Sequence, residues 1–197
     1  MAEISSSGKK FLVALGVITV LDVAAVAFSA RINIIQEFFF MADLFPLGLS
    51  IATLILILLM LILNLTVVDS FLVRAPFQIG NLFVLSLLWL AFNAFSTARW
   101  AHIPTNCSSI PVEYPDARAW CRDVQGLKAV IWLEWVMLLA TPLLTLRHII
   151  TQHTQGYAHI WTMPLVRYDS RHGSRGDGRD SEFLQFEKYE PSMGMAY

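Results

Sequence analysis

An all-α integral membrane bundle of four helices is the fold this sequence predicts, and three observations carry the prediction. Four apolar stretches, Phe11–Ala30, Leu47–Val68, Phe77–Ala98 and Val124–Leu146, each run for at least twenty residues. At ~1.5 Å per residue each reaches ~30 Å, the hydrocarbon thickness of a bilayer. The segment Ile51–Leu63 is apolar on every face, which a soluble amphipathic helix is not. Both cysteines, Cys107 and Cys121, fall between the third and fourth stretches. A chain of 197 residues with 56% hydrophobic content leaves no room for a separate soluble domain of ordinary size.

Residues 1–10 read as a short polar cytosolic tail, 11–165 as the four-helix domain, and 166–197 as a polar, disordered cytosolic tail. The start of the chain, with Lys9-Lys10 ahead of an apolar run, has the outline of a signal peptide, with Ala25-Val26-Ala27 as its cleavage site. The run continues past that site to Ala30 and Asp22 interrupts it, so the first stretch is read as a retained helix ending near Arg31. The link Ile32–Phe45 mixes Ile34, Ile35, Phe38 and Phe39 with Gln36, Glu37 and Asp43, the composition of a segment lying at headgroup depth. Pro46 suits the first turn of the second helix.

Asp69–Pro76 is short, which makes the second and third helices antiparallel neighbours in an up-down-up-down bundle. Asn64 and Asn81 lie at matching distances from that link, and an amide bond between them is expected. Arg99–Asp123 reads as the one long loop, with Pro104, Pro111 and Pro115 excluding helix through its middle. Two thiols in one polar loop suit a disulfide on the oxidising face of a membrane. Closing that loop restrains the unfolded chain by ~3 kcal/mol in chain-entropy terms. The alternative is two free thiols in a cytosolic loop; the lack of any other cysteine favours the bridge.

Lysine and arginine flanking the stretches vote only narrowly for a cytosolic N-terminus. The cysteine loop decides for both termini inside. Asn106-Cys107-Ser108 in that loop is a glycosylation sequon, whereas Asn64-Leu65-Thr66 is one buried in a helix. Pro142 should kink the fourth helix, with Thr141 and Thr145 at hand for freed carbonyls. Beyond Leu146, the apolar residues Tyr157, Ile160, Trp161, Met163 and Leu165 read as an interface belt. From Ser170 onward glycine and charge dominate without apolar period, the composition of a disordered tail.

Asp22 and Glu134 lie near the middle of their stretches, where an acidic side chain costs about 2.5–3.5 kcal/mol on insertion and marks a site by default. One reading is an ion or proton relay. The other is a hydrogen-bonded carboxyl joining the first and fourth helices. A relay needs polar groups across the whole membrane, and the second stretch offers nothing charged, so the structural reading is preferred. His148, His153 and His159 have the wrong spacing for a metal face, and no metal or cofactor is expected. No nucleophile elbow or phosphate loop occurs, and the tail from Arg147 carries balanced charge, so neither an enzyme nor a nucleic-acid binder is expected.

Several local patterns together resemble the fungal branch of the MARVEL-domain proteins. They are Phe45-Pro46-Leu47-Gly48-Leu49 at the second helix, the third-helix ending Trp89–Trp100, Asn106-Cys107 with Trp120-Cys121, and Ala129…Trp132-Leu133-Glu134-Trp135. The likeness covers about residues 10–165; at the position of Glu134 the relatives more often carry a neutral polar residue. The resemblance implies a non-enzymatic protein of the plasma membrane or secretory pathway. It would organise membrane subdomains or assist apposition and vesicle trafficking, with the bilayer and homo- or hetero-oligomeric membrane proteins as partners. A channel or transporter subunit using Asp22 and Glu134, or an accessory subunit of a membrane enzyme, is the alternative.

Overall fold

A computed structural model describes residues 5–35, 41–67, 70–103, 106–155, 158–161, 164 and 166. It is all-helical. The long helices are α1 (Ser6–Ile35), α2 (Met41–Thr66), α3 (Ala75–Arg99) and α4 (Pro115–Thr154), and each is long and apolar enough to cross a membrane. The four form a ring in which α1 and α3 each pack against both α2 and α4. Between α1 and α4 the contacts run in opposite sequence order. Ser7 Oγ lies 3.1 Å from His148 Nε2, Asp22 meets Glu134, and Arg31 pairs with Asp123 at 3.2 Å.

The buried stripe on every helix advances in steps of three and four residues, the spacing of a helix seam. On α1 it runs Gly8, Phe11, Leu15, Ile18, Asp22, Ala25, Ser29, Ile32. On α2 it is Pro46, Ser50, Thr53, Ile57, Met60, Asn64. On α3 it includes Gln78, Leu82, Leu85, Trp89, Asn93 and Ser96. On α4 it passes through Val124, Leu127, Ile131, Glu134, Leu138 and Thr141. The outward faces remain apolar, with Val13, Val20, Ile55, Ile62, Leu87 and Leu144 exposed. Small residues let the helices approach. A Cβ on Gly126 would lie 3.1 Å from the Phe28 ring, which fills that gap between α1 and α4.

Several element boundaries differ from the expectations. The first helix does not stop near Arg31 but continues to Ile35; Ile32 and Asn33 are buried, and the Asn33 amide donates to the Ser29 carbonyl at 2.8 Å. Pro46 lies inside α2 instead of in its first turn, because the helix already begins at Met41. Residues 36–40 of the interfacial link lie outside the described residues. Pro115 starts α4 at its N-terminal position and breaks nothing, as its missing N–H and fixed φ allow. The long loop therefore ends at Tyr114, and Trp120, Cys121 and Asp123 belong to α4. It contains the 3₁₀ turns Trp100–His102 and Cys107–Ser109.

Pro142 sits within a continuous α4. The threonine hydroxyls beside it bond the carbonyls of Met137 and Thr141 at 2.7 Å each. The carbonyl that proline frees is four residues back, at Leu138, so the threonines brace its neighbours rather than replace the lost bond. After α4 the chain forms a turn at Ala158–Trp161 and folds back over the end of the bundle. Ile160 is fully buried there, not a lipid-interface anchor. Pro164 makes an antiparallel bridge with Arg74, and the Val166 carbonyl accepts from the Ser5 N–H at 3.0 Å. The expected tail from Ser170, and Tyr157, Met163 and Leu165 of the expected belt, lie outside the described residues.

Candidate functional site

Asp22 falls on the inward stripe of α1 because it is separated by four residues from Ile18 and by three from Ala25, both fully buried. Glu134 occupies the matching position on α4, between Ile131 and Leu138. Both acids are fully buried, and their carboxyls come within hydrogen-bonding range of each other. Counted as two carboxylates, all four oxygens lack a donor among the described residues. A carboxylate only accepts, so a hydrogen bond within the pair needs one proton shared between the two acids. Among the described residues no cation pairs with them. The ion pair found among the described residues, Arg31–Asp123, is formed farther along the same two helices, with Arg31 largely exposed.

Several polar side chains on the same inward stripes are engaged with other partners instead. Trp89 Nε1 donates to Thr53 Oγ1 at 3.0 Å, tying α3 to α2. Asn93 Nδ2 donates to the Ile131 carbonyl at 2.9 Å, and Trp132 Nε1 to Thr97 Oγ1 at 3.0 Å, tying α3 to α4. Thr19 bonds its own helix at the Leu15 carbonyl, 2.9 Å away. The arrangement can hold one proton between two helices. Its neighbours offer no further titratable group through which that proton would travel in a chain, since Trp, Thr and Asn do not exchange charge in this pH range.

The other expected site residues are dispersed. Asn64 and Asn81 do not bond each other. Asn64 Oδ1 accepts from Gln78 Nε2 at 2.8 Å, while Asn81 Nδ2 meets the Met60 sulfur at 3.3 Å. Gln78 lies on the α3 seam and Asn81 is only partly buried, so Gln78 faces Asn64 instead. Sequence reasoning missed Gln78 although its place on the three-four stripe marked it. Cys107 and Cys121 lie at disulfide distance, Sγ to Sγ 2.05 Å and Cα to Cα 5.8 Å.

Asn106 is exposed, and its Oδ1 accepts from the Ser108 N–H at 3.1 Å and from the Ser108 hydroxyl at 2.5 Å. His148 bonds Ser7, and His153 stands edge-on to Trp161. His159 lies outside the residues whose side chains are described. Among the described residues no group of three or more metal-ligating side chains forms. Compared with family models, curated proteins and solved structures, the chain matches none.

Proposed function

We propose that this chain is a non-enzymatic multi-pass membrane protein that organises membrane subdomains or assists membrane apposition and vesicle trafficking. It would span up-down-up-down, with both termini in the cytosol, in the plasma membrane or a secretory-pathway membrane. The observation that carries the reading is how the buried polar groups are used. Thr53–Trp89, Asn64–Gln78, Asn93–Ile131 and Asp22–Glu134 each join one helix to another, while large apolar side chains cover the outside. Polar groups placed this way hold a bundle together. Such a bundle acts through its surfaces and its oligomeric neighbours. The MARVEL-like sequence patterns point the same way.

Crosslinking in native membrane followed by pulldown tests the reading. Recovery of the chain with other multi-pass proteins or with further copies of itself supports it, and recovery of the chain only as an uncrosslinked monomer counts against it. Protease added to sealed vesicles with the cytosolic face outward should clip the tail between Arg171 and Arg179; protection of that tail reverses the orientation. The Asp22–Glu134 contact favours one second reading, a channel or transporter subunit. A proton or cation flux in proteoliposomes that Asp22→Asn abolishes would establish that reading instead.

A further inference from the structure

At the end of the bundle that carries the cysteines, a groove of about 450 Å³ opens between the chain leaving α3 and the outer third of α4. Trp100, Ile103, Val124, Ala129 and Trp132 form its apolar walls, and Lys128 supplies its cation. Lys128 is the one basic residue inside the four apolar stretches. It is half-buried, and among the described residues no acidic group pairs with it. Arg31, the nearest alternative cation on α1, is committed to Asp123. Lys128 lies one helical turn inside Val124, where the apolar stretch begins, which sets its ammonium near headgroup depth once its stem extends toward water. Trp100 and Trp132 at that level are interfacial residues, each with an apolar body and a polar edge.

We infer that this groove seats one glycerophospholipid of the surrounding leaflet, with the lipid phosphate on Lys128 and the upper part of an acyl chain against Trp100, Ile103 and Trp132. The charge selects the occupant: an ammonium at this depth without an acidic partner among the described residues attracts an anionic headgroup. Beyond Lys128 and Gln125 the remaining walls are apolar and accept hydrocarbon. Anionic lipids gain most, since their net charge is not cancelled by a headgroup cation. The inference rests on the membrane residence assumed by the reading above. Lipid retention in detergent is independent of partner crosslinks, so either reading can fail alone.

The test titrates dioleoyl phosphatidylglycerol or dioleoyl phosphatidylcholine into the delipidated full chain in neutral detergent and counts bound lipid by native mass spectrometry. One saturable phosphatidylglycerol site is expected, tighter than that for phosphatidylcholine. Lys128→Gln should weaken the phosphatidylglycerol site about tenfold, the loss of one charge-assisted contact, while Lys128→Arg keeps it. Ala129→Phe, at an exposed position on the groove wall, should block both lipids without lowering thermal stability. Inorganic phosphate alone should not displace the lipid. Equal binding by the wild type and Lys128→Gln would overturn the proposal. So would displacement by inorganic phosphate combined with undiminished binding in Ala129→Phe, which would leave a simple anion site.

Discussion

Gly8 of α1 lies directly against the backbone of Val166. A Cβ at Gly8 would stand 2.6 Å from the Val166 Cα and 2.8 Å from its carbonyl carbon, closer than unbonded carbons approach. The same stretch receives the Ser5 N–H on the Val166 carbonyl and pairs Pro164 with Arg74. The segment after α4 thereby holds the N-terminal ends of α1 and α3 together. Glycine is needed at position 8 for the room it leaves, and Val166, with 1% exposure, is the residue that uses that room.

Gly8→Ala should therefore release this segment. Backbone cannot swing aside as a flexible side chain can, so the overpacking cost falls at about 1–3 kcal/mol. Gly16→Ala and Gly48→Ala are the controls, because a Cβ there meets nothing within 4 Å. Gly8→Ala should speed hydrogen exchange at the Ser5 amide and lower the thermal unfolding temperature in detergent. The controls should leave Ser5 exchange unchanged and hold or raise thermal stability, since alanine is the better helix former. Unchanged exchange at Ser5 in Gly8→Ala would show that the close approach is not required.

The four long helices were legible because a helix able to cross a bilayer needs a long run of apolar residues, and composition reports that directly. Which face turns inward was harder. Outward-facing Val13, Val20 and Ile55 are as apolar as buried Leu15 and Ile57, so hydrophobicity does not separate the two sides. The separating signal is the three-four spacing of small and polar residues, Gly8, Asp22, Ala25 and Ser29 on α1 and Ser50, Thr53 and Asn64 on α2. That spacing puts both Asp22 and Gln78 on inward stripes, but depth along the stretch alone did not single out Gln78. Pro115 misled because proline opens a helix as readily as it ends one, and the choice depends on the residues after it. The return of Val166 to Gly8 depends on a contact between residues far apart in the sequence, which no local pattern announces.

The thiols give a prediction that links topology to chemistry. Cys107 follows the exposed Asn106, and Cys121 sits buried in the first turns of α4. A bridge between them would anchor the loop to that helix. Non-reducing digestion and mass spectrometry of protein from its mature membrane should recover the linked peptides. Cys121→Ser should lower stability by roughly 2–4 kcal/mol in chain-entropy terms, less any native strain. Complete alkylation of both thiols without reductant would place the loop on the reducing side.

Gln78 and Asn81 separate two ideas of what ties α2 to α3. The Gln78–Asn64 bond is short and fully buried, and removing one partner leaves an amide oxygen stranded. Asn81 reaches only the Met60 thioether, a weak acceptor. Gln78→Leu is therefore expected to lower bundle stability by about 0.6–1.7 kcal/mol, and Asn81→Leu by less. Thermal unfolding of the two variants in the same detergent decides it, and a larger loss in Asn81→Leu would reverse the assignment.

The carboxyl pair supports the sharpest test. Asp22 and Glu134 satisfy each other only while they share a proton, since among the described residues no other donor or cation reaches their carboxyl oxygens. An amide can replace either acid and still donate to its partner. Asp22→Asn and Glu134→Gln should therefore preserve assembly and thermal stability. Asp22→Leu removes the partner outright, leaves Glu134 buried alone, and should loosen packing of α1 on α4 by on the order of 1 kcal/mol. Asp22→Leu combined with Glu134→Leu strands no polar group, so it should recover part of that loss; replacing both members of a buried polar pair is often near neutral. Thermal unfolding of the four variants is read beside a proteoliposome flux measurement. A double variant less stable than Asp22→Leu would mean that the two acids are not coupled. Normal stability of Asp22→Leu, together with a flux that Asp22→Asn abolishes, would transfer the pair from holding the bundle to moving protons.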